Sequence, residues 1–102
     1  MSEFVRVAAL SEVPPGSARC VRVGRKRVAL FNVDGQIYAI DDTCTHAEAS
    51  LSEGTVEGCE VVCPLHGARF DLRTGAALSL PAVIPVETYE VKVEGDEVFI
   101  RV

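Results

Sequence analysis

The chain has 102 residues, of which 48% are hydrophobic and 25% charged, with a formal net charge of −5. This length and mixture suit one globular domain and exclude a disordered chain, while the acidic balance disfavours nucleic acid as a partner. No run approaches the roughly 20 apolar residues of a membrane span, and Glu3 interrupts the N-terminal segment. We therefore expect a soluble, cytoplasmic, monomeric protein with no membrane partner.

Short runs of alternating or β-branched residues, separated by turn residues, predict strands with almost no helix along the chain. The predicted strands are Phe4–Val7, Cys20–Val23, Arg27–Val33, Gln36–Ile40, Glu60–Val62, Arg69–Leu72, Val86–Val93 and Val98–Val102. Asp34-Gly35 between two such runs is a strong hairpin signal, and residues 94–97 (EGDE) predict a closing hairpin.

Two stretches do not follow a strand pattern. Residues 42–54 read as a loop, and residues 76–85 (AALSLPAVIP) read as an ordered loop containing two prolines. The sequence therefore predicts an all-β fold, an antiparallel β sandwich or barrel, with an inserted pair of loops. We expect residues 1–102 to form one domain, in which about residues 42–85 form the inserted subdomain.

Two short Cys/His pairs lie within these loops. Cys44-Thr45-His46 is followed, after sixteen residues, by Cys63-Pro64-Leu65-His66. Each pair presents one thiolate and one imidazole, and two such turns can hold a binuclear [2Fe–2S] cluster from opposite sides. Two neutral imidazoles in place of thiolates leave the oxidised centre near zero net charge. This ligation raises the potential to about −150 to +300 mV, against about −400 mV for all-cysteine plant-type clusters.

A structural Cys₂His₂ zinc site in an interaction module is the main alternative to a cluster. Zinc fingers place two cysteines together in one knuckle, whereas each turn here mixes one cysteine with one histidine. A Cys-His nucleophile pair is a further alternative, but it would require two matched pairs by accident. The spacing favours one [2Fe–2S] cluster per chain with Cys44, His46, Cys63 and His66 as ligands.

These two segments resemble the Rieske [2Fe–2S] motif, and the resemblance covers nearly the whole chain. It is closest to the stand-alone Rieske ferredoxins of bacterial aromatic-ring-hydroxylating dioxygenase systems. The flanking residues that share the family pattern are Leu51–Gly54, Arg69–Asp71, Thr74-Gly75, Pro81-Ala82 and Pro85-Val86.

The resemblance implies that Cys44 and Cys63 bind the buried iron, while His46 and His66 bind the outer iron. The loop containing Pro81 would form a third wall over the cluster. It also implies a one-electron carrier, not an enzyme, between an NAD(P)H-dependent flavoprotein ferredoxin reductase and a terminal Rieske oxygenase. The Rieske subunit of a nitrite reductase, or of another redox complex, is the alternative within the family.

Departures from the high-potential respiratory members of the family predict a low reduction potential. Ala49 and Leu65 occupy positions that carry a disulfide in those relatives. Ala68 and Phe70 stand where those relatives have a serine and a tyrosine that donate hydrogen bonds to sulfur. Without these donors the added electron is stabilised less, so we expect a value near the low end of the Rieske range.

Other features have simpler interpretations. Cys20 and Cys59 are predicted to be small, strand-packed thiols without a disulfide, and Arg25-Lys26-Arg27 to be a solvated turn rather than a binding patch. The glycines at 54, 58, 67 and 75 are predicted to adopt positive φ. Residues 41–60 contain six acids and no Lys or Arg, which favours a basic partner. The competing prediction is an apolar docking patch around Ala47, Ala49, Leu51 and Leu65.

Overall fold

A computed structural model of the chain describes residues 3–44, 49–65, 67–80 and 84–101. The described residues form nine strands and two short 3₁₀ helices, Leu10–Glu12 and Leu51–Glu53. The strands are β1 Phe4–Ala9, β2 Ala18–Val23, β3 Lys26–Val33, β4 Gln36–Asp41, β5 Thr55–Glu57, β6 Glu60–Val62, β7 Arg69–Asp71, β8 Thr88–Glu94 and β9 Glu97–Arg101.

All strand pairs are antiparallel, in a six-stranded sheet of order β1-β9-β8-β4-β3-β2 and a three-stranded sheet of order β5-β6-β7. β4 and β8 are neighbours in the larger sheet, so everything between them in sequence is inserted at one end of this pair. The predicted all-β antiparallel fold with an inserted two-loop segment is confirmed. Within the described ranges, no helix has the length and hydropathy of a membrane span.

The eight predicted strands are present, with shifts of a few residues at their ends. The largest shifts are of two residues: β1 ends at Ala9 instead of Val7, β2 begins at Ala18 instead of Cys20, and β8 begins at Thr88 instead of Val86. Val102 lies outside the described residues. β5 was not predicted, because three residues between Gly54 and Gly58 are too few to show a period of two. The predicted loop 42–54 also contains the 3₁₀ helix Leu51–Glu53.

The Asp34-Gly35 hairpin forms as predicted. Both residues have positive φ, 52° and 92°, which is the geometry of a type I′ turn, and Val33 pairs with Gln36 directly before it. The buried Asn32 side chain fixes the turn, because its Oδ1 accepts the N–H of Gly35 at 2.8 Å. Its Nδ2 donates to the carbonyl of Val13 at 2.7 Å, which ties the turn to the chain after β1.

The core has two parts, one on each face of β3. Val28 and Leu30 face a cluster formed mainly within the larger sheet, whereas Ala29 and Phe31 face the inserted segment. All four side chains are fully buried, so β3 is a central strand covered on both sides. The second cluster also contains Cys44 and Cys63, which places both cysteines at the junction of sheet and insertion.

Candidate metal centre

Cys44 and Cys63 are buried in the same apolar cluster, with 3% and 1% of their surface exposed. Cys44 lies three residues beyond the end of β4, and Cys63 follows β6 directly. The structure therefore brings together two sulfurs that are nineteen positions apart in sequence, as the motif predicts. His46 and His66 lie outside the described residues, so their side chains remain predictions from the sequence.

The two loops close in the same way. The N–H of Cys44 donates to the carbonyl of Ala49 at 3.0 Å, and the N–H of Cys63 donates to the carbonyl of Ala68 at 2.7 Å. Each cysteine therefore bonds to the fifth residue after it, and each histidine lies between a cysteine and its closing partner. In the second loop, Gly67 has a φ of 75° and donates its N–H to the carbonyl of Cys63.

The first loop is anchored by a buried carboxylate. Asp42 is fully buried, and its oxygens accept bonds from the hydroxyl of Ser50 at 2.5 Å and the N–H of Ser52 at 2.9 Å. Arg27 from β3 contacts the same carboxylate at 3.3 Å. Burial acts to raise the pKa of Asp42, but the hydrogen bonds from Ser50 and Ser52 outweigh it and lower the pKa. A charged carboxylate thus joins β3, the end of β4 and the residues that close the Cys44 loop.

The second loop is anchored by apolar packing instead. It connects β6 to β7, where Val62 and Arg69 pair directly across its base. Ala68 and Phe70 are fully buried beside it. Their side chains carry no hydroxyl, so neither can donate the hydrogen bonds that the respiratory relatives are expected to make.

The loop 76–85 is attached to β7 through its first half. The N–H of Leu78 donates to the carbonyl of Arg69 at 2.8 Å, and the hydroxyl of Ser79 accepts the N–H of Arg69 at 3.0 Å. Gly75, directly before this segment, has a φ of 78°, and a Cβ there would also clash with the carbonyl of Val86. Residues 81–83, including the predicted wall residue Pro81, lie outside the described residues.

Gly58, Gly67 and Gly75 adopt the predicted positive φ, but Gly54 does not. Its φ and ψ are −79° and 178°, an extended conformation open to any residue. A Cβ on Gly54 would clash with the backbone carbonyl of Val62, so the close approach of β6 is what requires glycine. The prediction for Gly54 was therefore wrong in its cause.

Cys20 and Cys59 form no disulfide, as expected. Cys20 is a partly buried residue of β2, and burial raises the pKa of its thiol. Cys59 lies in the turn between β5 and β6, with its Sγ 4.0 Å from the hydroxyl of Tyr38. Strand packing is thus confirmed for Cys20 and wrong for Cys59, because β5 ends at Glu57 and β6 begins at Glu60, which leaves Cys59 in the turn between them.

The six acids of residues 41–60 do not all contribute negative charge to the surface around the loops. Asp42 is buried, and Arg69 contacts the carboxylates of Glu57 and Glu60 at 3.0 and 3.5 Å.

Leu51 is fully buried and cannot belong to an exposed apolar patch. The large exposed apolar residues near the loops are Leu65, Leu78, Leu80 and Ile84. Three of them belong to the segment 76–85. The apolar residues of that segment follow neither a strand nor a helix period, and this was the signal in the sequence that could have indicated an exposed apolar surface.

These residues fit a [2Fe–2S] cluster of mixed ligation. Two buried sulfurs at the start of two similarly closed loops provide soft ligands for an inner iron, and the histidines follow within the same loops. The fold and the site together define a small β domain built for an iron–sulfur centre.

The family model for the Rieske [2Fe–2S] domain matches residues 3–90. The chain is 46% identical over 98 residues to the ferredoxin component of the naphthalene 1,2-dioxygenase system of Pseudomonas aeruginosa, covering 96% of this chain and 94% of that protein. The chain therefore belongs to the Rieske [2Fe–2S] domain family, and its cofactor is a Rieske-type [2Fe–2S] cluster.

Solved structures agree with this assignment. The ferredoxin of carbazole 1,9a-dioxygenase from Nocardioides aromaticivorans superimposes with a TM-score of 0.90 at 41% identity, covering 95% of both chains. A ferredoxin in a complex with the oxygenase of carbazole 1,9a-dioxygenase gives 0.88 at 44% identity, covering 95% of this chain and 91% of that one. A small subunit named for an NADPH nitrite reductase gives 0.85 at 28% identity, with 96% and 97% covered.

Proposed function

We propose that the protein is the ferredoxin component of a multicomponent ring-hydroxylating dioxygenase system. It would accept single electrons from an NAD(P)H-dependent flavoprotein reductase and deliver them to a terminal Rieske oxygenase. The observation that carries this proposal is the match over nearly the full length of both chains to ferredoxin components of such systems. A related ferredoxin has been captured with its oxygenase, which supports direct transfer between the two proteins.

We further propose the ligand set Cys44, His46, Cys63 and His66. The burial of both cysteines favours them as ligands of the inner iron, where the apolar cluster excludes water. The histidines lie between each cysteine and the residue that closes its loop, which favours them as ligands of the outer iron. The cluster supplies one-electron redox chemistry. The chain holds it in two loops and keeps one side dry.

The absence of hydroxyls at positions 68 and 70 supports the low potential that the sequence predicts. A low potential suits a carrier that must pass electrons onward to another Rieske centre. We also propose that residues 1–102 form one domain, with the cluster-binding part over about residues 42–85, because β4 and β8 pair across the insertion. The unbridged thiols of Cys20 and Cys59 fit a cytoplasmic location.

Reconstitution tests this function. The protein should support NADH-dependent hydroxylation of naphthalene when combined with the reductase and oxygenase of a naphthalene dioxygenase system. A His66→Ala protein serves as the control and should support none. If the unmodified protein carries a reducible cluster but transfers no electrons to the oxygenase, the proposed function is wrong.

The small subunit of a nitrite reductase is the second candidate, because a protein of that name has the same fold at 28% identity. Such a subunit would be retained in a stable complex. Co-purification of the protein at a fixed ratio with a nitrite reductase would favour this candidate. Isolation as a separate carrier that exchanges between partners would favour the first.

A further inference from the structure

The β2–β3 hairpin carries a group of exposed cations, which we call the basic corner: Arg22, Arg25, Lys26 and Arg27. Arg22 and Arg27 are directly opposite each other in the register. Like charges at opposed positions of an antiparallel pair destabilise the sheet. This opposition does not stabilise the hairpin, and the corner is a local excess of positive charge on a chain of net charge −5.

Two of the four cations have partial compensation. Arg27 contacts Asp42 at 3.3 Å, and Lys26 contacts Glu87 at 3.7 Å, with about half of each cationic side chain exposed. In the described part of the chain, no carboxylate lies within 4 Å of the guanidinium of Arg22 or Arg25. The Lys26–Glu87 pair is exposed and contributes little to stability. Four cations against these two carboxylates leave the corner with a net positive charge.

The corner borders the metal loops. Arg27 lies on the same face of β3 as Ala29 and Phe31, which pack in the cluster that contains Cys44 and Cys63. The carbonyl of Arg27 also accepts the N–H of Asp42, two residues before Cys44. The corner is therefore placed beside the loop from which an electron would leave.

The acids of residues 41–60 are less available than their number indicates. Asp42 is buried, and Glu57 and Glu60 both contact Arg69. Glu53 is exposed, but it lies near enough to Arg27 to raise the pKa of that guanidinium slightly, after the larger effects of Cys20 and Asp42. Arg22 and Arg25, by contrast, make no ion pair with any described residue.

We propose that the basic corner docks a carboxylate-bearing surface of an electron-transfer partner beside the metal loops. The inference rests on the proposed function, because docking there is useful only if electrons leave from those loops. Opposite charges at the corner would steer encounter and fix the orientation of the pair. This is the reverse of the basic partner that the acidic stretch alone predicts.

Stopped-flow kinetics with two protein acceptors test the proposal. The dithionite-reduced protein is mixed with cytochrome b5, which presents carboxylates around its haem edge, and with cytochrome c, which presents lysines there. We expect the rate of cytochrome b5 reduction to fall severalfold as salt rises from about 10 to 300 mM, despite the net charge of −5. A cytochrome b5 rate that increases with salt would overturn the proposal.

A pair of variants separates the corner from the overall charge. Arg22→Gln/Arg25→Gln and Lys92→Glu both make the chain more negative by two units. Lys92 lies near the β8–β9 turn. Asp96 in that turn lines the same surface pocket as Gly35, and Gly35 lies at the opposite end of β4 from Asp42. At low salt the double variant should reduce cytochrome b5 about tenfold more slowly, and Lys92→Glu within about twofold of the unmodified rate. Equal effects of the two would overturn the proposal.

The same experiment distinguishes a failure of docking from a failure of function. A reduced cluster that transfers electrons to neither cytochrome would refute the carrier function and the docking site together. Transfer to both cytochromes without dependence on Arg22 and Arg25 would refute the docking site alone. The EPR spectrum of the reduced double variant should be unchanged, because neither arginine is a proposed ligand.

Discussion

The two loops that carry the proposed ligands share one backbone closure and differ in what holds them. The Cys44 loop is held by the buried carboxylate of Asp42 and the polar groups that converge on it. The Cys63 loop is held by its position between β6 and β7 and by the packing of Ala68 and Phe70. The same geometry around a cysteine can thus be obtained from charge and hydrogen bonds or from apolar burial, and the two solutions should respond differently to mutation.

Removal of a ligand should have the largest effect and should be the same in both loops. Cys44→Ser and Cys63→Ser should each lose nearly all of the bound iron, because the inner iron then lacks one of its two protein thiolates. Iron analysis and the visible spectrum measure this loss. Cys20→Ser and Cys59→Ser are the matched controls and should retain the cluster. A fully loaded Cys63→Ser protein would contradict the ligand assignment.

Loss of the polar anchor should be the next largest effect and should be confined to the Cys44 loop. Asp42→Asn removes a charged acceptor from a buried network, which should lower the free energy of unfolding by about 2 kcal/mol. The neighbouring Asp41→Asn is the control, because Asp41 is only partly buried, and it should change stability by less than about 0.5 kcal/mol. Urea denaturation of the loaded proteins compares them, and equal midpoints would show that Asp42 does not anchor the loop.

How far the sequence predicts this molecule depends on the distance between the interacting residues. The Asp34-Gly35 turn and the paired Cys/His segments are local patterns, and both could be predicted before the structure. The polar anchor could not, because Arg27, Asp42 and Ser50 are distant in sequence and Asp42 looks like one of six surface acids. The clash that requires glycine at position 54 likewise depends on the backbone carbonyl of Val62 in β6, whose close approach cannot be seen in the sequence.

The Cys63 side has its own carboxylate, and its contribution should depend on pH. The backbone N–H of Arg73 bonds to Asp71 at 2.7 Å and lowers the pKa of that carboxyl below its ordinary value of 3.8. A lowered pKa means that the stabilisation is present above the ordinary pKa and is lost as pH falls through the folded value. The stability difference between the unmodified protein and Asp71→Asn should therefore be constant from pH 7 to about pH 5 and shrink below 3.8. A difference that grows in acid would contradict this.

The smallest effect should be a change in reduction potential from single hydroxyl groups. Ala68→Ser and Phe70→Tyr each add a hydroxyl donor beside the Cys63 loop, so each should raise the potential, on the order of tens of millivolts. Ala49→Ser changes the equivalent closing residue of the Cys44 loop and should have less effect. Protein-film voltammetry measures the three midpoints. Equal shifts from Ala49→Ser and Ala68→Ser would show that the two loops contribute alike to the potential.

The central claim is that one cluster is held by two thiolates and two imidazoles, with the imidazoles from His46 and His66. Pulsed EPR of the dithionite-reduced protein tests it most directly, because nitrogen bound to iron couples magnetically to the unpaired electron. We predict couplings from two ¹⁴N nuclei in the unmodified protein, which are replaced by ¹⁵N couplings when the histidines alone are labelled with ¹⁵N. A reduced [2Fe–2S] signal without nitrogen coupling would contradict the ligand set and with it the account of both loops.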